Sequence, residues 1–261
     1  MPPFSGKTVI VTGSSSGIGR EAVRLFARKG ANVVIHGQSE SKLKEFTASL
    51  EKCGLTPDRY LVVQGPIQDE KTRSALINGT LKKFGRIDVL VNNAGAQNDP
   101  ADPDLDSVHN LEFLFNVNFK SMYDLNDKVY PHLRKTKGNI VNISSAGSQI
   151  VPPFAIAYAS LKAAVDAYSK GLAVKYGPEV RVNSISPGPT STEFSSRQQG
   201  GNGNLLETFK KIIPKLPLGR IGNPEEVANA IVFVAGKDAK YITGSVIVVD
   251  GGFIVGMPYA R

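Results

Sequence analysis

Tyr158 and Lys162 stand four residues apart in the stretch Tyr158–Ala159–Ser160–Leu161–Lys162. On a helix this spacing puts both side chains on one face, about one turn from each other. The flanks favour a helix. Ala155, Ala157, Ala159, Ala163, Ala164 and Ala167 are strong helix formers, and no Pro or Gly interrupts Phe154 to Lys170. A free phenol titrates near ~10, too high for proton transfer at neutral pH. A nearby ammonium favours phenolate and lowers that value. The pair therefore suits a proton-transfer device whose acidity is set by its neighbour. Taken alone, the commoner reading of such a pair is a solvated helix lysine beside a packed ring.

A second stretch suits phosphate. Gly13, Gly17 and Gly19 lie between an apolar run, Thr8–Val9–Ile10–Val11, and a helical pattern buried through Ala22, Val23, Leu25, Phe26 and Ala27. Glycines there permit a tight turn and close approach of a phosphate to the backbone, where a helix N-terminus favours negative charge. The spacing is G-x-x-x-G-x-G rather than the usual dinucleotide G-x-G-x-x-G, and no Gly-Lys-Ser/Thr ending follows, which argues against a nucleoside triphosphatase.

Strand and helix signals alternate along the rest of the chain. Strands are predicted at 32–35, 60–63, 88–91, 139–143, 180–185 and 246–249. Helices are predicted at 43–52, 71–84, within 111–133, from Tyr158 to about 176, and at 225–235. Apolar strands separated by helices imply an α/β fold: a doubly wound, Rossmann-like sheet of seven parallel strands with helices on both faces. The 261 residues contain no linker or repeat, so one domain is expected over 1–261. Ser191 to Asn204 breaks the rhythm with loop formers on the carboxyl edge of the sheet. It reads as a mobile lid over about 189–215, with a plain surface insert as the alternative.

Composition narrows the class. Apolar residues make up 41% and charged residues 21% of the chain, as in ordinary globular proteins. No long apolar run suggests a membrane span, and the first residues lack the order of a signal peptide. Cys53 is the sole cysteine. That excludes an intrachain disulfide and a cysteine metal cluster; no metal is expected, and cytoplasm is the expected location. The net charge of +8 is dispersed, and the cluster Arg134–Lys135–Thr136–Lys137 has no interleaved aromatics. It reads as a solvated surface mildly favouring anionic ligands, not a nucleic-acid site.

Taken together, these motifs resemble the short-chain dehydrogenase/reductase family, in its single-domain oxidoreductase branch. The likeness runs from about Gly6 to Gly252. Thr12–Gly13–Ser14–Ser15–Ser16–Gly17–Ile18–Gly19 is similar to the family's coenzyme loop, Asn92–Asn93–Ala94–Gly95 to its Asn-Asn-Ala-Gly motif, Pro187–Gly188 to its Pro-Gly turn and Asp250–Gly251–Gly252 to its last strand ending. Asn118, Ser145, Tyr158 and Lys162 match its catalytic four. Ser145, not Ser144, stands thirteen residues before the tyrosine, as in the family.

The resemblance implies hydride transfer between a nicotinamide and a carbonyl or alcohol carbon. Tyr158 would be general acid or base, and Lys162 would lower its pKa and bond the nicotinamide ribose. Ser145 would hold the substrate oxygen, and Asn118 would break the long helix and hold a water. Coenzyme contacts are implied for Gly13, Ser15, Ser16, Gly17, Ile18, Gly19, Gly37, Gln38, Ser39, Ile67, Asn92, Ala94, Gly95, Tyr158, Lys162, Pro187, Gly188, Thr190 and Thr192.

The chain departs from the family pattern in four places, one of them Ser16, where an NADP-preferring subgroup carries a basic residue just before the second glycine. Gly37 stands where NAD-preferring members carry an acid, which favours NADP(H) over NAD(H). Gln38 replaces an arginine common in NADP-preferring relatives, so Ser39, Lys42 or His36 would have to meet the 2′-phosphate. Pro66 replaces the acid that meets adenine. The substrate wall is expected from Gln97, Gln149, Phe154, Phe194, Leu205, Leu206 and Phe209, a mixture suited to a medium-sized ketone or secondary alcohol. The helices after residue 110 and around Tyr158 would pair into a homodimer or homotetramer. A catalytically idle NADP(H)-binding sensor or scaffold is the alternative from another class.

Overall fold

The computed structural model describes residues 2–105, 107–153, 155–196 and 213–256. Its sheet holds β1 (Thr8–Val11), β2 (Asn32–Gly37), β3 (Tyr60–Gln64), β4 (Val89–Asn92), β5 (Asn139–Ile143), β6 (Arg181–Pro187) and β7 (Val246–Val249). The order is β3-β2-β1-β4-β5-β6-β7, with every pairing parallel. Among the helices are α1 (Gly17–Arg28), α2 (Glu40–Lys52), α3 (Glu70–Phe84), α4 (Val108–Phe115), α5 (Ser121–Thr136), α6 (Ile156–Tyr176), α7 (Glu193–Ser196) and α8 (Pro224–Ala235).

The strands are apolar because both faces are covered. Val9 and Val11 point into a core with α1, α2 and α8, through Phe26, Phe46 and Ile231. Ile10 points the other way, into a core with α3, α5 and α6, through Leu76, Leu125 and Leu172. This is the period of two that a strand imposes. Ile10 is fully buried, so truncation to Ala would cost about 2–5 kcal/mol.

β1 pairs with β2 on one side and β4 on the other, and the chain order reverses there. The crevice at this switch point opens at the carboxyl ends of the strands, where the sequence places its glycines and asparagines. The helix expected over 111–133 is longer and broken: α4 passes into a π-helical turn, Asn116–Lys120, before α5. β6 runs two residues beyond its expected end, with Ser186 and Pro187 pairing to Val248 and Val249.

Candidate active site

The phosphate loop is built by close approach. Gly13 has φ +61° and Gly17 φ +56°, in the left-handed region that a side chain resists. A Cβ on Gly13 would sit 2.7 Å from the Ala94 Cα. The loop is tied to the turn after β4: Asn93 Nδ2 donates to the carbonyls of Thr12 and Gly13, and Thr12 Oγ1 accepts from the amides of Asn93 and Ala94. A Cβ on Gly19 would strike that Asn93 amide at 2.5 Å.

Ser16 is the N-cap of α1, yet its side chain makes no capping bond. The first amides of α1 are thus not closed off by their own cap, as an anion site requires. Ile18 packs partly against the core from the first turn of that helix. The cradle of Gly13, Gly17 and these amides fits a dinucleotide pyrophosphate.

At the end of β2, Gly37 is buried, and a Cβ there would lie 2.7 Å from Ser15 Oγ. Gln38 is exposed. Ser39 caps α2 by accepting from the Lys42 amide. Lys42 pairs with Glu193 of α7, across 151 residues of sequence. The neighbours of Glu193 continue this crossing: Thr192 lies against Gly17, and the Phe194 ring lies 6.2 Å from that of Tyr158.

His36 corrects an expectation, because it is not offered to a phosphate. Its ring is buried, its Nδ1 accepts from the Gly13 amide at 2.9 Å, and its Nε2 meets the Gly65 carbonyl at 3.0 Å. Burial pulls its pKa down to about 4, against the hydrogen bond to Gly65. The imidazole is therefore neutral at pH 7, with the proton on Nε2.

Ile67 is buried, and its carbonyl accepts from Arg73. Asn92 is buried too, and its amide donates to Asn126 and Asn142, which aligns the end of β4 with β5. Ala94 and Lys162 share a cavity with Thr12, Ile67, Asn92 and Asn118.

Asn118 sits in the π-helical turn. Its amide makes both bonds to the Ala96 backbone, at 2.8 Å each, and this holds the π-helical turn against the turn after β4. A Cβ on Gly95 would lie 3.0 Å from Asn118 Oδ1 and 3.8 Å from Lys162 Nζ.

The two serines after β5 separate cleanly. Ser144 is buried and donates to the Lys162 carbonyl, which anchors α6. The Ser145 hydroxyl lies beside the Tyr158 phenol, whose ionisation it favours, and accepts from the Gly147 amide.

Lys162 is buried. Its ammonium donates to the Ile143 carbonyl at 2.8 Å and stands 5.6 Å from the Tyr158 ring centroid. Burial pushes Lys162 down to about 8, against the favourable charge of Asp166. Burial pushes Tyr158 up to about 12, against the hydrogen bond with Ser145. The expected lowering of the phenol by Lys162 is not among the causes that act on Tyr158: burial raises it and Ser145 alone opposes the rise, while burial penalises the lysine's charge as well.

At the far wall, β6 ends at Pro187 and the Gly188 amide bonds the Val249 carbonyl. Thr190 Oγ1 donates to the Gly188 carbonyl. Thr192 and Phe194 thus stand on a segment leaving β6 and crossing to Gly17 and Tyr158. Gln97 keeps a buried amide oxygen without a partner. Phe154, Leu205, Leu206, Phe209 and the lid from 197 to 212 lie outside the described residues.

Reading the sequence missed four contributors: Thr12 and Asn93 as ties of the glycine loop, Glu193 opposite Lys42, and Asp166 behind Lys162. Only Asp166 had a local signal, the Lys162-x-x-x-Asp166 spacing on one helix face.

The family model described as enoyl-(acyl carrier protein) reductase matches residues 13–254. The L-fucose dehydrogenase of Bos taurus is 37% identical over 97% of this chain and 91% of its own length. The 7alpha-hydroxysteroid dehydrogenase of Clostridium sardiniense is 33% identical over 99% of this chain and 97% of its own. A Caenorhabditis elegans short-chain dehydrogenase/reductase of unknown function, solved with cofactor, is 38% identical, covers both chains fully and superposes with a TM-score of 0.92. The chain belongs to the short-chain dehydrogenase/reductase family and is an oxidoreductase that transfers hydride between NAD(P)(H) and a carbonyl or alcohol carbon.

Proposed function

We propose that Tyr158 exchanges the proton with the substrate oxygen, that Ser145 orients that oxygen, and that Lys162 and Asn118 support the tyrosine. The observation that carries this reading is the convergence of the Ser145 hydroxyl on the Tyr158 phenol, with the Lys162 ammonium buried one helical turn away. A phenol protonated up to about 12 is ready to give its proton to a developing alkoxide. The Ser145 hydroxyl stabilises the charge that gathers on the same oxygen. The nicotinamide, when bound, supplies or accepts the hydride. Its pyrophosphate would rest on Gly13, Ser15, Ser16, Gly17, Ile18 and Gly19. The nicotinamide end would meet Asn92, Ala94, Gly95, Pro187, Gly188, Thr190 and Thr192, and Ile67 would pack on adenine.

The coenzyme is NADP(H) in preference to NAD(H). No carboxylate stands at Gly37 to repel a 2′-phosphate, and Lys42 and Ser39 flank that position. The phosphate would take Lys42 from Glu193. The substrate class is a ring-borne secondary alcohol or the matching ketone. The bovine relative's name points to a sugar and the clostridial one's to a steroid, and the unpartnered amide oxygen of Gln97 suits a hydroxylated ring. The relatives give no support to an idle coenzyme binder.

The whole chain works as one unit in a cytosolic setting, which suits the unpaired Cys53. Among the described residues no helix is long and apolar enough to cross a membrane. It assembles as a homodimer or homotetramer. Val108, Leu111 and Phe115 of α4 and Tyr123 of α5 are exposed apolar groups that a second copy would cover.

The deciding experiment titrates the protein against NADPH and NADH fluorescence. Turnover is then assayed on L-fucose, a 7α-hydroxysteroid and a panel of cyclic ketones. NADPH binding with turnover of one of these is the expected result. Tight binding with no turnover of any would count against the catalytic roles, and preference for NADH would overturn the reading of Gly37 and Lys42.

A further inference from the structure

Asp166 follows Lys162 by one turn of α6 and is buried, with 8% of its surface exposed. A carboxylate in such a place needs partners. Ser148 Oγ donates to its Oδ2 at 2.6 Å, and Ser184 Oγ of β6 donates to its Oδ1 at 2.8 Å. Ser148 ends the short 3-10 turn Ala146–Ser148, which begins directly after Ser145. One carboxylate thus ties three pieces together: the turn carrying Ser145, the middle of β6, and the helix carrying Tyr158 and Lys162.

We propose that Asp166 is a positioning residue of the reaction centre, one that clamps the Ser145 turn onto α6 and β6 and supplies the negative charge that keeps Lys162 an ammonium. The inference rests on the roles given above to Ser145 and Lys162. Two charges one helical turn apart in a buried setting interact strongly, because little water screens them. The groups facing Lys162 make Asp166 the one countercharge among the described residues. Tyr158 and Asp166 share its helix, β5 presents the Ile143 carbonyl, the π-helical turn presents Asn118, and the turn after β4 presents the Gly95 backbone. The carboxylate accordingly acts against the burial that weakens the lysine.

The two functions of the carboxylate separate by substitution. Asp166→Asn keeps the shape and a partner for each serine but removes the charge. Ser148→Ala keeps the charge but cuts the tie to the turn. The primary readout is the pH titration of the Lys162 side-chain carbon resonance in coenzyme-free protein, assigned by its loss in Lys162→Met. In Asp166→Asn the midpoint falls by about one to two pH units; in Asp166→Glu it returns towards the wild-type value. An unchanged midpoint in Asp166→Asn overturns the electrostatic role.

Ser148→Ala is expected to lower kcat about tenfold on the best substrate of the panel above, with NADPH affinity unchanged. Wild-type kcat in Ser148→Ala overturns the clamp, and this variant decides the matter if Asp166→Asn does not fold. Because the resonance needs no turnover, its result is independent of the catalytic reading. That reading fails separately if Lys162→Met retains wild-type turnover.

Discussion

The imidazole Nδ1 of His36 accepts the amide hydrogen of Gly13 at 2.9 Å, while its Nε2 reaches the Gly65 carbonyl at 3.0 Å. One ring at the end of β2 therefore fastens the first glycine of the phosphate loop and the turn after β3. The bond to Gly13 needs an unprotonated Nδ1, so protonation must break it. The folded pKa, about 4, lies below the ordinary value near 6.5. Between these values the unfolded chain binds a proton that the folded chain refuses, so stability falls as pH drops through this window. The loss should approach about 3 kcal/mol below pH ~4. Urea unfolding at pH 7.5, 5.5 and 4.5 checks it: His36→Phe should be less stable at pH 7.5 and lack this share of the pH slope.

Tyr158→Phe should reduce turnover by at least about a hundredfold while leaving NADPH affinity within about twofold, since the proposed mechanism assigns the lost hydroxyl to the substrate oxygen and leaves the rest of the coenzyme's contacts in place. Rapid mixing and fluorescence titration separate the two. Near-normal turnover would remove the tyrosine from the mechanism. The pH profile adds a sign. Lys162 is charged below about 8 and neutral above it, whereas Tyr158 keeps its proton to about 12. Reduction should therefore be level at neutral pH and decline above pH ~8, as the ammonium supporting the phenol is lost.

Coenzyme choice turns on Lys42 and Glu193. Their pairing is a surface contact, so it adds little stability, but it occupies the cation that a 2′-phosphate would use. Glu193→Gln should raise the ratio of NADPH to NADH affinity about three- to tenfold, and Lys42→Ala should lower it by a similar factor. Equal ratios in all three proteins would show that selectivity is set elsewhere. Gly37→Asp should swing selectivity towards NADH only at a cost in overall affinity, because its Cβ would press on Ser15 Oγ.

The fold and the grouping of the candidate site residues were legible because each depends on local pattern. Strands such as Val9–Ile10–Val11 declare burial on both faces, and Tyr158 and Lys162 meet through helix geometry alone. What escaped depends on contacts between elements. The pairing of Lys42 with Glu193 joins residues 151 apart in sequence, and nothing near either residue announces it. The serine partners of Asp166 come from a turn and a strand that meet only after β5 and β6 pair. His36 did leave a trace: it is a polar ring directly after the apolar run Val33–Val34–Ile35. Such a side chain must satisfy both nitrogens inside the protein, which argues against a role at the surface of a phosphate pocket.

Gly13 offers the sharpest test of the loop's construction. Its φ of +61° costs an L-residue about 1–2 kcal/mol, and a methyl group there would press at 2.7 Å on the backbone of Ala94, which cannot swing aside as a side chain would. Ala94 is held in turn by its amide bond to Thr12 and by the neighbouring Asn93 ties. Relief must therefore pull the phosphate loop away from the turn after β4 and distort both walls of the coenzyme cleft. Gly13→Ala should lower NADPH affinity by at least about tenfold and destabilise the fold by about 2–4 kcal/mol. Gly54→Ala is the matched control: its φ of +86° carries similar strain, but nothing lies within 4 Å of the added methyl. It should lose some stability and bind NADPH normally. If both variants lost affinity equally, the close approach of Gly13 to Ala94 would not be what shapes the cleft.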